Sequence, residues 1–289
     1  MATPTDYIFT TGTCTRGALY QLIIDKLTAA GWTNISSLSS SDYVVMQSTG
    51  NTGDKNLLLN LRDASATAIN PTTTTDYCAM SYRLQDTYVP GAAGVAGVFG
   101  RPALAWTNLF LAPVAAVTTT LGKDTVCNYH VYADASKLIL EIEYPSVTGL
   151  GPQVIYMGEP DTMFVSDSAS RGVLVACSSN GTTASSAIIC NTSDTVASVS
   201  SPYAIAVSAL LPAGDPNVAG KTMVSSLYYG SASESFRGKL DGIKTAYYSG
   251  TNFLTGDTVT IGTQTYYVAI TQTTNVTSFP SRAILLRTA

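Results

Sequence analysis

The sequence predicts a mainly β, β-sandwich-like protein with one N-terminal amphipathic helix packed on the sheet and a small β-meander module at the C-terminus. Three observations predict it. Charged residues make up only 12% of the 289 residues and hydrophobic ones 45%, against an ordinary charged share of about a quarter. A helix-rich surface needs Lys and Glu, whereas a sheet surface can be solvated by the Ser and Thr in which this chain is rich, and Thr favours a pleated strand through its branched Cβ. The 17 Tyr suit half-buried strands and subunit contacts. Finally, a single 3.6-residue stripe near the start gives way to runs of period two.

The helix is expected over 16–30, with Leu19, Leu22, Ile23 and Leu27 in one stripe. Thr13 or Thr15 is the expected N-cap, Gly31 the expected C′ residue, and Trp32 the anchor of the C-terminal end. Residues 42–48 read as a strand, 51–54 as a turn and 57–62 as the partner strand. Residues 77–84 read as another strand. From 85 to 125 the chain is weakly periodic and, from 90 onward, rich in Gly, Ala and Pro, a long excursion of the kind that forms contacts.

Residues 128–144 make the strongest hairpin, turning at 133–136. Leu138, Leu140, Ile142 and Tyr144 point one way, and Ile139, Glu141 and Glu143 the other. Shorter strands are expected at 154–158, 171–177, 187–190 and 203–208. The segments 237–249, 255–262, 264–270 and 282–287 read as the closing meander, with a tight turn at Gly262. This divides the chain into a main domain, 1–235, and a C-terminal module, 236–289.

Composition also bounds function. The formal charge is −4 with no basic run, which argues against a phosphate-tracking groove and so against nucleic acid as a partner. No stretch reaches the ~18 apolar residues of a membrane helix. The opening residues show no basic n-region, so no signal peptide is expected and the chain is expected to fold in a cytoplasm. Cysteines stand at 14, 78, 127, 177 and 190, with no Cys-x-x-Cys pair to suggest zinc. They read as reduced, buried thiols, with Cys177–Cys190 the alternative pairing.

Chemistry has few carriers. The one histidine is His130, so any Ser-His-Asp or Cys-His site must use it. It reads as a sheet-surface or interface residue. Glu141 and Glu143 share a strand face and read as a solvated edge, since a glycosidase pair normally straddles its sugar from different strands. Glu159 and Asp161 flank Pro160 as a turn, without a calcium loop. The glycines of 91–97 lack the Lys-Ser/Thr of a phosphate loop and read as a contact loop. Asn-x-Ser/Thr triplets at Asn34, Asn180, Asn191 and Asn275 are ordinary in so Ser/Thr-rich a chain. No catalytic residue, cofactor or metal is expected, and the chain is not expected to be an enzyme.

The order of features carries a resemblance. Residues 12–33 run from a small-residue strand through an amphipathic helix to Gly31-Trp32-Thr33. A strand pair at 42–62 follows. The chain closes with Arg237-Gly-Lys-Leu-Asp-Gly-Ile243, Gly256-Asp-Thr-Val-Thr-Ile-Gly262, Tyr266-Tyr-Val268 and Arg282-Ala-Ile-Leu-Leu-Arg287. Across about half its length this resembles virion structural proteins of tailed bacteriophages, from the tail, baseplate or fibre region. The resemblance implies a subunit assembled in the bacterial cytoplasm into the virion, with itself and other virion proteins as partners and a host-surface glycan as a further one. It carries no catalytic residues. Residues 85–125 lie outside the resemblance, so partner or glycan contacts are expected there, at Trp106, Tyr88, Phe99 and Phe110. The competing functions are a carbohydrate- or receptor-binding β-sandwich and a capsid decoration protein.

Overall fold

A computed structural model describes residues 8–36, 43–63, 80–85, 87–100, 106–109, 122–146, 152–162, 173–177, 187–188, 196–200, 224–231, 235–247, 253–270 and 282–288. The chain is mainly β, with antiparallel sheets and one short helix near the N-terminus.

The central sheet has the strand order Ile8–Thr15, Val126–Ala133, Lys137–Glu143, Gln153–Gly158, Leu174–Cys177. The expected hairpin supplies its middle, with Leu140 opposite Val131 and Glu141 opposite His130. A second sheet, on the helix side, runs Thr33–Asn34, Val44–Ser48, Leu57–Asp63, Met80–Arg83, Thr107–Leu109. The third and largest, the C-terminal sheet, runs from Ala187–Ile188 through Val196–Ser200, Val224–Ser231, Ser235–Tyr247, Arg282–Arg287 and Gln264–Ile270 to Thr258–Ile261. Its last three strands in sequence form a meander, and Ser235–Tyr247 joins it by pairing with Arg282–Arg287. The expected division at 236 falls inside this strand, which pairs on its other side with Val224–Ser231. The sheet therefore runs continuously through that position. The strands expected at 77–79 and 203–208 lie outside the described residues, as do Cys78, Cys190 and Phe110.

The helix begins as a 3-10 turn, Arg16–Ala18, and continues as the α-helix Leu19–Ala29. Thr15 stands at the N-terminus, but its side chain makes no capping bond. The exposed amides find backbone instead: Arg16 N donates to Thr125 O at 2.9 Å and Gly17 N to Lys123 O at 2.9 Å, so the helix start is sewn to the chain entering the central sheet. Gly31 takes φ 95° at the far end. Trp32 is buried and its indole Nε1 donates to Asp134 O at 3.0 Å, fixing the helix end against the hairpin turn.

One core joins Leu19, Ile23 and Leu27 of the helix to Met46, Leu59 and Leu61 of the second sheet and to Val131, Leu138, Leu140, Ile142, Ile155 and Met157 of the central sheet. The opposite face of the central sheet is also covered. Tyr132, Ile139, Val154 and Tyr156 pack against Leu240, Ile243, Ala269 and Leu286 of the C-terminal sheet. This corrects the reading of Glu141 and Glu143 as a solvated edge: Glu141 is fully enclosed, at 0% exposure, because a third layer lies over that face. Gly242 permits the approach. Its φ is 83°, and a Cβ there would stand 2.8 Å from Ile139 Cδ1, so a side chain would be strained and would push the layers apart.

The hairpin turn ties all three layers together. Asp134 Oδ1 accepts from Ser136 N at 2.7 Å and Lys137 N at 3.0 Å, an Asx turn. Its Oδ2 accepts from Tyr132 Oη at 2.8 Å. Ser48 Oγ donates to Ala135 O, and Asn51 N donates to Ser136 Oγ at 3.0 Å, both from the second sheet's side. Lys137 Nζ reaches Asp134 at 3.4 Å and Asp241 of the C-terminal sheet at 3.0 Å. Burial works against the Lys137 charge, but the two carboxylates outweigh it and hold the ammonium above its ordinary value.

Candidate functional site

The excursion carries a small two-stranded hairpin, Tyr88–Val89 with Val98–Phe99. Tyr88 and Phe99 are cross-strand partners, their ring centroids 5.2 Å apart and tilted by 47°. The Tyr88 ring lies on Gly97, where any Cβ would collide with its hydroxyl and ring edge. The loop is thus closed over by an aromatic side chain that only a glycine admits. Trp106 enters just before Thr107–Leu109, whose pairing with Met80–Arg83 fixes it at the edge of the second sheet.

Three of the four residues expected to make contacts come together here. Tyr43, which precedes the strand Val44–Ser48, links them: its ring is 5.3 Å from Phe99 and 6.1 Å from Trp106. The run Tyr88, Phe99, Tyr43, Trp106 is flanked by two arginines. The Arg83 guanidinium lies 4.3 Å from the Phe99 ring centroid and that of Arg62 lies 5.6 Å from Trp106, both within cation–π range. All six side chains are partly exposed. Burial, and then the neighbouring Tyr88 phenol, push the Tyr43 hydroxyl up to about 12, so it stays neutral at physiological pH. The fourth expected residue, Phe110, lies outside the described residues.

Sequence reasoning missed Tyr43, Arg62 and Arg83. A signal was present: both arginines stand at or next to the C-terminal end of a mostly buried strand, and aromatics stood in the excursion that follows.

The hairpin also carries an apolar surface. Of the five large hydrophobic side chains exposed among the described residues, Val89, Val95 and Val98 belong to it, at 61%, 56% and 69% exposure. Scattered exposed valines mean little, but three on one small projection form a patch.

The other chemical candidates sit elsewhere. His130 Nδ1 meets Glu141 Oε2 at 2.8 Å, and the imidazole stacks on Tyr267 at 3.9 Å and faces Phe9 at 6.2 Å. Burial, then the adjacent Glu143 carboxylate, raises Glu141 well above the ordinary carboxyl range, while burial lowers His130 against the pull of Glu143. Both partners therefore favour their neutral forms. Glu141 is fully enclosed between two sheets, so neither of its oxygens is open to a substrate, while His130 is partly exposed. Glu159 accepts from Ser136 at 3.2 Å and pairs with Lys55 at 3.5 Å, and Asp161 pairs with Lys239 at 3.1 Å. Among the described residues no group of three or more His, Cys, Asp or Glu is placed to hold a metal ion, and no helix is long and apolar enough to cross a membrane.

The chain matches no protein-family model and no curated protein sequence.

Proposed function

We propose that the chain is a structural subunit of a tailed-phage virion, self-assembling in the tail, baseplate or collar region through its β surfaces and the 88–99 hairpin. The observation that carries the reading is the hairpin itself. It holds three exposed valines outward and roots them in an aromatic cluster that fixes its direction. An apolar projection on a rigid base loses little conformational freedom on docking, which favours repeated subunit contacts. Low charge and the order of features at both ends of the chain agree with it. The occupant of the patch is a neighbouring copy or another virion protein, and localisation in the virion follows from the same reading. Antibody labelling of purified particles tests it: decoration at a fixed position on the tail is the expected result, and particles free of the chain would refute it.

A second reading, receptor binding on the phage tail, is favoured by one specific observation. Aromatic rings with Arg83 and Arg62 alongside present apolar surface for the face of a sugar and guanidinium groups for a carboxylate. The class implied is an acidic glycan. Trp106→Ala that abolishes glycan-array binding while leaving assembly intact supports this reading, and binding to no host-surface glycan counts against it.

A further inference from the structure

We infer that Cys14 and Cys127 are an oxidisable pair that closes into a cross-strand disulfide, locking the N-terminal edge strand onto the central sheet. They stand directly opposite each other in the register between Ile8–Thr15 and Val126–Ala133. Opposed residues of an antiparallel pair have Cα atoms about 4.5–5.5 Å apart, inside the range of about 4.4–6.8 Å that disulfides span. Their sulfurs are 3.5 Å apart, both thiols are free, and Cys127 is fully buried while Cys14 is partly exposed. A disulfide needs about 2.05 Å between sulfurs, a closure that side-chain rotation supplies with the strands in place.

The asymmetry of exposure assigns the roles. Ile8–Thr15 is an edge strand of its sheet among the described residues, and Cys14 is the more exposed of the two thiols, so it is the one that a reagent reaches. The Cys127 thiol beside it lowers Cys14 towards the thiolate, whereas the Cys127 thiol itself is pushed up by that same contact and by burial. With a small disulfide such as oxidised glutathione as the oxidant, the Cys14 thiolate attacks one glutathione sulfur and expels the other as a thiolate. Cys127 then gives up its proton and attacks Cys14 Sγ, and the second glutathione thiolate leaves. Two protein thiols are oxidised by two electrons and one glutathione disulfide is reduced to two glutathiones. The bond joins residues 113 apart in the chain and so ties the segment entering the helix to the middle of the molecule.

The inference depends on no reading of function. Its test treats the reduced, folded full chain with oxidised glutathione, quenches with an alkylating agent, and maps peptides without reduction. The expected result is a peptide pair linked through Cys14 and Cys127 and lighter by two hydrogens, with two of the five cysteines lost to alkylation. In Cys127→Ser the linked pair disappears and Cys14 keeps a glutathione adduct. Recovery of Cys14 and Cys127 of the wild-type chain as alkylated thiols overturns the inference, as does linkage of either to another cysteine. An adduct confined to Cys127 in Cys14→Ser, with none on Cys14 in Cys127→Ser, overturns the assigned order.

Discussion

The two faces of the central sheet are built on different terms. Towards the helix, Val131, Leu138, Leu140, Ile142, Ile155 and Met157 make a continuous apolar surface. Towards the C-terminal sheet, Tyr132, Ile139, Val154 and Tyr156 share their layer with His130, Glu141 and Glu143. Strand alternation says which side chains share a face; it does not say which face is wet. Here both are covered. The first is lined by apolar side chains, while the second mixes apolar side chains with His130, Glu141 and Glu143, so the two respond differently to mutation and to pH.

The largest effect is expected on the apolar face. Leu140→Ala removes a fully enclosed side chain and is expected to lower unfolding stability by about 3 kcal/mol or more, read from the midpoint of urea denaturation. A smaller loss, of about 2 kcal/mol, is expected for Lys137→Met, which takes the cation from buried Asp134 but leaves its hydrogen bonds to Tyr132, Ser136 and the residue 137 backbone N–H in place. A double-mutant cycle with Asp241→Asn assigns the share that crosses to the C-terminal sheet. That share is small, because Asp241 is nearly half exposed.

Glu141→Gln tests the other face, and its sign depends on pH. Glu141 holds its proton more tightly folded than unfolded. It therefore contributes its full stability at pH values below about 4, where the unfolded carboxyl is also protonated, and that contribution declines as pH rises through and above the carboxylate range towards the folded value. His130, Glu143 and Tyr267 are the titratable groups that face it. His130 runs oppositely, since its lowered value removes stability as pH falls. Melting temperatures from about pH 4 to pH 8 should show the Glu141→Gln variant gaining on the wild type as pH rises. A constant difference across the range would mean that the carboxyl does not feel its burial.

Much of this contrast was legible beforehand. The stripe Leu19, Ile23, Leu27 and the alternation from Leu138 to Tyr144 fixed the helix, the hairpin and the split between faces, because period and spacing are local properties. That the Glu141 face is buried was not legible, because it depends on a sheet assembled from residues 224–287, far along the chain. The aromatic cluster was half legible. Tyr88, Phe99 and Trp106 stood out within the odd excursion, whereas Tyr43, Arg62 and Arg83 join them only through pairing of the second sheet.

The smallest effect on stability and the largest on assembly should fall at the hairpin. Val98→Asp alters a side chain that is 69% exposed and should change stability by no more than about 0.5 kcal/mol, yet it places a charge in the patch. Sedimentation velocity of the wild type and of Val98→Asp at micromolar concentration tests the central claim most directly. The wild type is expected to sediment as a closed multiple of the 30.2 kDa chain and the variant as a folded monomer. A wild type that remains monomeric, or a variant that assembles as the wild type does, would contradict assembly through the hairpin.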